Sequence, residues 1–192
     1  MFYWFIWGLA RFLFFLRARL VVTGQDKIPQ TGPVILVANH ISGFDPIVVG
    51  LSVSKRRLRF MAKAELFRFF LFNWFLRRMG AYPVKREEVS KEFLKKILSI
   101  LRTNQALLIF GEGTRNRSSE PLLPLKMGFA YLAEMAPAAV VPVFISGSKS
   151  ITSKQFRPTV YVQYGDLIPA GPKQTVYHAV ETALLQFAYP KE

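Results

Sequence analysis

The chain has no cysteine, two histidines, and 12 acidic residues against 26 lysines and arginines in 192 residues. Without cysteine there is no disulfide, no thiolate metal ligand and no thiol nucleophile. Two histidines without cysteine do not make a zinc set, and no acidic cluster suggests Mg²⁺. The chain also lacks an uninterrupted apolar run of the roughly 20 residues that cross a bilayer. Its first residues show neither the basic start nor the small-residue end of a signal peptide. No linker, repeat or low-complexity segment interrupts it. What is abundant is apolar and aromatic residues, 51% and 15% of the chain, and a net charge of +14. Such a chain can build one sizeable core, and its charge attracts polyanions: nucleic acid, anionic lipid or phosphorylated metabolites.

The placement of the aromatics separates those partners. Residues 1–16, MFYWFIWGLARFLFFL, hold eight aromatics with Arg11 as the only charged side chain. A helix in the membrane interface, a marginal span and a core helix are all open to such a run. Trp, Tyr and Phe beside arginine favour the interface. Residues 65–79, ELFRFFLFNWFLRRM, repeat the composition, with polar positions that gather on no single helical face. A helix apolar nearly all round is buried or in lipid. Nucleic-acid modules instead interleave basic and aromatic residues on an exposed face. The partner expected is therefore an anionic membrane surface, and nucleic acid is not.

Short apolar runs alternate with longer periodic ones. Strands are expected at 19–23, 33–38, 58–62, 81–85, 106–110, 139–145 and 158–164, and helices at 2–17, 46–54, 65–78, 88–102, 125–136 and 173–188. In the helix at 88–102, Val89, Phe93, Ile97, Leu98 and Leu101 form one apolar stripe, as a helix covering a sheet requires. The alternation predicts a single α/β domain with a mostly parallel, mixed sheet of about seven strands flanked by helices. Residues 1–18 are expected as a membrane-associating helix and 19–192 as the globular domain. In such sheets ligands sit beyond the carboxyl ends of the strands. The polar loops 39–45, 111–118 and 146–150 follow predicted strands, and 86–88 follows another.

In the first loop, Asn39-His40 is followed by Asp45-Pro46. Asp before Pro is a common helix start, with Asp at the N-cap. That role does not explain His40. A loop containing Gly43 can fold back and bring the Asp45 carboxylate to the imidazole, fixing its tautomer and stabilising its protonated form. The pair then suits a general base acting on a substrate hydroxyl. Ser42 reads as a loop residue, since no group orients a base toward it. In the loop FGEGTRNRSSE, 110–120, Gly111 and Gly113 allow close backbone approach and Arg115 offers a fork for phosphate. It is not a P-loop, because no Gly-Lys-Ser/Thr follows. The strand end GAYPVKRE, 80–87, delivers Lys85 and Arg86 to opposite faces, and Arg86 is the better ligand candidate. Pro142, in VVPVFISG, implies an edge strand or backbone distortion beside a ligand. His178 lies off the stripe Val176, Val180, Ala183, Leu184 and Phe187, and reads as exposed and inert.

Taken together, these segments resemble the glycerolipid acyltransferase family, and within it the 1-acylglycerol-3-phosphate acyltransferases. The family's Asn-His-x4-Asp block falls on Asn39, His40 and Asp45. Its Gly-x-x-x-hydrophobic-x-Arg block runs from Gly80 through Val84 to Arg86. Its Phe-Pro-Glu-Gly-Thr-Arg block falls on Phe110 to Arg115, and its Val-Pro-Val block on Val141-Pro142-Val143. Order and spacing agree over residues 34–147. The resemblance implies that His40, held by Asp45, deprotonates the sn-2 hydroxyl of lysophosphatidic acid for attack on a thioester. Acyl-CoA or acyl-carrier protein is the implied co-substrate, with no cofactor or metal and no acyl-enzyme. It places Arg86 and Arg115 on the acceptor's phosphate. Glu112, Gly113 and Thr114 would shape the glycerol site, with Asn39 and Pro142 also at the substrate. It implies a peripheral or monotopic enzyme on the cytoplasmic face of the cell membrane. Segments 2–16 and 66–75 would dock it there and line an acyl channel. Gly111 stands where the family usually carries proline, and is expected to loosen that loop.

Overall fold

A computed structural model describes residues 2–84, 91–103 and 105–190. Seven strands, β1 (Arg19–Thr23), β2 (Val34–Ala38), β3 (Arg57–Lys63), β4 (Ala81–Val84), β5 (Gln105–Phe110), β6 (Ala139–Ser146) and β7 (Thr159–Tyr164), form one sheet in the order β1-β7-β6-β2-β5-β3-β4. Every pairing is parallel except β6 with β7. The helices are α1 (Phe2–Arg17), α2 (Asp45–Ser52), α3 (Phe70–Arg78), α4 (Lys91–Leu101), α5 (Gly128–Met135) and α6 (Lys173–Ala188).

The central strand β2 is buried at all five positions, because helices cover both faces of the sheet. Val34, Leu36 and Ala38 face one core, which includes Ile6 of α1, Val48 and Val49 of α2, and Leu76 of α3. Ile35 and Val37 face the other, packed with Ile97 and Leu101 of α4, Phe129 and Ala133 of α5, and Val176, Val180 and Leu184 of α6. Because β6, β2, β5, β3 and β4 run in one direction, their carboxyl ends share one edge of the sheet. The loops after β2, β5 and β6 therefore meet there despite lying far apart in sequence.

Two expectations need correction. The stretch 65–78 is not one helix: a 3₁₀ turn at Ala64–Phe67 is followed by extended backbone at Phe69, and α3 starts at Phe70. The break buries Phe67 and turns Phe69, Phe70 and Leu71 outward, at 74%, 80% and 78% exposure. In a continuous helix Phe70 and Leu71, three and four residues on, would share a face with buried Phe67. Second, β6 is not an edge strand; it lies between β7 and β2. Pro142 is tolerated inside the sheet because its nitrogen faces the β7 side. There the pairing lapses between the Val143–Tyr164 pair and the Val140–Ile168 bridge. Its carbonyl still accepts the Gly165 N–H at 2.8 Å.

α1 is fastened to the domain along one side. The Trp7 indole N–H donates to the Gly50 carbonyl at 2.9 Å, and Arg11 donates to the Leu51 carbonyl at 2.8 Å. Both acceptors belong to the last turn of α2, whose carbonyls have no partner within the helix. The other side of α1 leaves Phe5, Phe12, Leu13, Phe15 and Leu16 more than half exposed. Among the described residues, no helix is long and apolar enough to cross a membrane.

Candidate active site

At the end of β2 the Asn39 side chain turns away from solvent. Its amide donates to the Ile145 carbonyl at 2.9 Å and its oxygen accepts the Ile145 N–H at 2.7 Å. Asn39 thus ties β2 to β6 and sets where the next residue begins. His40 follows, its ring stacked on Phe110 at 3.9 Å between centroids and 18° between planes. Its Nδ1 lies 2.8 Å from Asp45 Oδ2. A carboxylate only accepts, so Nδ1 carries the proton, and Nε2 is the nitrogen left with a lone pair.

Asp45 is fully buried. Its Oδ2 also accepts the N–H groups of Ile41 and Ser42, each at 2.7 Å, and its Oδ1 accepts the Ser148 hydroxyl at 2.5 Å. This corrects its expected second role. The N-cap of α2 is Phe44, with Asp45 and Pro46 in the first turn. The Asp45 carboxylate turns back onto the loop and away from the helix amides, because that loop presents it with the His40 Nδ1–H and the N–H groups of Ile41 and Ser42. Ser148, from the loop after β6, is a contributor not recognised from sequence. That loop was visible as a polar segment, but nothing in it pointed to Asp45. Ser42 acts as loop structure, its hydroxyl accepting the Phe44 N–H at 3.3 Å.

The loop after β5 is stitched to the first loop. The Asn116 N–H donates to the His40 carbonyl at 2.6 Å. The Arg115 guanidinium lies where a side chain at position 43 would begin: a Cβ on Gly43 would meet its Nη2 at 3.1 Å. Gly111 is bonded through both of its backbone groups. Its N–H donates to Ala38 at 2.9 Å, its carbonyl accepts from Lys126 at 2.7 Å, and a Cβ would meet Leu125 and Val37, each at 3.1 Å. Gly111→Pro deletes a buried donor and crowds two core side chains. It is expected to lower stability by about 2 kcal/mol. A urea-unfolding midpoint equal to the parent's would show that the loop re-forms without that bond.

His40 opens onto a groove of about 1150 Å³. Ile109 of β5 and Met61 of β3 form part of its lining. Leu94 and Ile97 of α4 and Phe129, Leu132 and Met135 of α5 form its walls. Its charged lining, among the described residues, is entirely cationic: Lys63, Arg115, Arg117 and Lys126. Gly113 and Thr114 line it as well. Among the described residues Arg115 makes no hydrogen bond or ion pair. Among the described residues, the segments expected to line an acyl channel contribute only Leu66, and the apolar walls come chiefly from α4 and α5. The stripe of α4 was legible as a sheet-covering face but not as a groove wall, and α5 was legible only as a helix. Asn39, Asp45, Glu112 and Pro142 are off the groove, beneath or beside it, and Arg86 lies outside the described residues. His178 is exposed, with Glu181 at 3.6 Å.

Glu112 is 1% exposed, and neither carboxyl oxygen makes a hydrogen bond of ordinary geometry. Burial pushes its pKa up to about 7. The backbone N–H groups of His40 and Leu123 oppose that shift without reaching hydrogen-bond geometry, the charge of Asp45 adds to it and Lys149 offsets part of it. With a folded value above the ordinary 4.5, the folded chain holds a proton that the unfolded chain has lost. Stability therefore falls as pH rises from about 4.5 to about 7 and stays lower above, by about 3 kcal/mol. Glu112→Gln is expected to flatten that slope and to raise the Tm at pH 8 above the parent's. Equal slopes in parent and variant would remove Glu112 as the cause.

The family model described as Acyltransferase matches residues 19–146, from the start of β1 to the end of β6. The chain belongs to the acyltransferase family. Among curated relatives, the 1-acyl-sn-glycerol-3-phosphate acyltransferase of Streptococcus pneumoniae is 31% identical over 171 residues, 88% of this chain and 63% of that protein. The enzyme of the same name from Bacillus subtilis is 29% identical over 135 residues, 70% of this chain and 66% of that one. This acyltransferase-family chain thus spans somewhat less than two thirds of the length of those relatives. The crystal structure of the 1-acyl-sn-glycerophosphate acyltransferase PlsC from Thermotoga maritima superposes with a TM-score of 0.74. That match covers 97% of this chain and 78% of that one at 23% identity, which establishes a common fold.

Proposed function

We propose that the protein transfers an acyl chain from a thioester, acyl-CoA or acyl-carrier protein, to the sn-2 hydroxyl of 1-acylglycerol-3-phosphate. The products are phosphatidic acid and the free thiol. The observation that carries this is the His40–Asp45 pair at 2.8 Å, beside a groove with cationic and apolar lining. A lysophospholipid has the matching parts: a phosphate, a hydroxyl and an alkyl chain. The curated relatives bear the name of this reaction.

In the proposed reaction His40 Nε2 takes the proton of the acceptor hydroxyl as its oxygen attacks the thioester carbonyl. Asp45 stabilises the imidazolium that forms. The tetrahedral intermediate collapses, the carbon–sulfur bond breaks, and the imidazolium returns its proton to the departing sulfur. The acyl group passes directly between substrates, so no side chain is acylated and no metal or cofactor is required. Arg115 binds the acceptor phosphate, with Arg86 assigned there by its motif. Lys63, Arg117 and Lys126 add positive potential to the same groove. The apolar walls from α4 and α5 take an acyl chain.

The exposed apolar faces of α1 and α3 dock the enzyme on the membrane that holds its acceptor. It would sit peripherally or monotopically on the cytoplasmic face, with residues 1–18 as the docking helix. The deciding assay follows thiol release from palmitoyl-CoA in detergent, with and without lysophosphatidic acid, glycerol-3-phosphate or other lysophospholipids. Release that depends on lysophosphatidic acid is expected. Release with no acceptor present would contradict the direct transfer, and release only with another acceptor would reassign the substrate. If palmitoyl-CoA is inert, the same assay with an acyl-carrier protein distinguishes a donor preference from an inactive protein.

A further inference from the structure

The segment Ser153-Lys154-Gln155-Phe156-Arg157 plays no part in the proposed chemistry and lies beyond the residues that the family model matches. It carries Phe156, at 86% the most exposed large apolar side chain recorded among the described residues. Lys154 beside it is exposed too. The loop is nonetheless held in place. Arg17, at the end of α1, donates through Nη2 to the Ser153 carbonyl at 2.6 Å and through Nη1 to the Gln155 carbonyl at 3.0 Å. The Arg157 guanidinium lies 4.5 Å from the centre of the Phe15 ring. Arg157 itself sits at φ +46°, in a region that a non-glycine residue enters at an energetic cost. The loop tip is thus tied to the last turn of α1, next to Phe12, Phe15 and Leu16, which are themselves more than half exposed.

Charge identifies the occupant of this surface. Residues 1–25 and 135–165 contain Arg11, Arg17, Arg19, Lys149, Lys154 and Arg157, and no acidic residue at all. An outward phenylalanine between Lys154 and Arg157, in a loop without acidic residues, fits an anionic lipid surface, where the ring enters the headgroup boundary and the cations meet phosphates. A protein partner would leave the same cations to be matched one by one.

We infer that the 153–157 loop is a second membrane contact, with Phe156 entering the interface beside α1 and Lys154 and Arg157 on anionic lipid headgroups. The inference rests on the proposed docking of α1 on the membrane. A second point of insertion, fastened to α1 by Arg17, stops the helix from rolling about its own axis. It thereby fixes which side of α1 faces lipid and at what angle the groove meets the bilayer.

The absence of cysteine makes the test direct. The full chain carrying Phe156→Cys is labelled with an environment-sensitive fluorophore and mixed with vesicles of phosphatidylcholine, with and without phosphatidylglycerol. Gln174→Cys, exposed on α6 on the other face of the sheet, serves as the control. The expected result is a blue shift at position 156 and none at 174, strongest on anionic vesicles. In co-sedimentation, Phe156→Ser and Lys154→Glu are each expected to weaken binding to anionic vesicles about tenfold, with the loss from Lys154→Glu fading at high salt. Leu13→Asp tests α1 separately. If the parent binds, Leu13→Asp releases it, and both loop variants bind like the parent with no shift at 156, the loop inference is overturned and α1 docking stands. If the parent does not bind vesicles, the docking reading falls and the loop inference with it.

Discussion

His40→Ala is expected to lower kcat for acyl transfer by on the order of 10³-fold while leaving the fold intact. The side chain is 11% exposed, lines the groove and stacks on Phe110, so its removal opens space at the groove's edge and not a void in the core. The buried donors that surround Asp45 keep their acceptor, because Ile41, Ser42 and Ser148 still bond it. The KM for the acceptor is expected to change little, since the proposed contacts to phosphate and alkyl chain belong to other residues lining the groove. A kcat within tenfold of the parent's, at an unchanged Tm, would make the histidine a structural loop residue and end the general-base assignment.

Asp45→Ala is expected to remove activity to the same degree and also to destabilise the protein, by about 4 kcal/mol. The difference between the two variants follows from burial. Asp45 is fully inaccessible, and its loss leaves the Ser42 N–H and the Ser148 hydroxyl unpaired inside the protein, with the part-buried Ile41 N–H beside them. It also frees His40 to take either tautomer, so that Nε2 no longer faces the groove as the acceptor. Thermal unfolding is expected to show a Tm about 10 °C below the parent's, where His40→Ala shows almost no change. Equal Tm values for Asp45→Ala and the parent would mean that water replaces the carboxylate, and Asp45 would then be relevant to the imidazole alone.

Much of the architecture is legible in the sequence. The strands and most of the helices fall within a few residues of their expected places, because each depends on a local period: apolar runs bounded by polar loops, and stripes such as Ile97 with Leu101. The exception, 65–78, failed for a definite reason. Its side chains are apolar on all sides, so periodicity could not show that Phe69 breaks the helix to turn three apolar residues outward. Pro142 misled in the opposite direction. Proline inside a strand implies an edge, but the missing N–H falls where β7 has already left the ladder.

By itself, the sequence determined the α/β alternation, the cationic and aromatic excess, and the closeness of His40 and Asp45. Only five positions separate that pair, and a short loop through Gly43 leaves them little room to part. Tertiary structure alone decided that Asp45 is sealed under Ser148, that Asn39 clamps Ile145, and that Glu112 is buried without a hydrogen-bond partner beneath the loop. It also decided that α4 and α5 wall the groove with Arg115, Arg117, Lys63 and Lys126 at its polar lining. These arrangements join residues up to 106 positions apart. Which of them meet depends on strand order and direction in the sheet, and no local pattern along the chain encodes that.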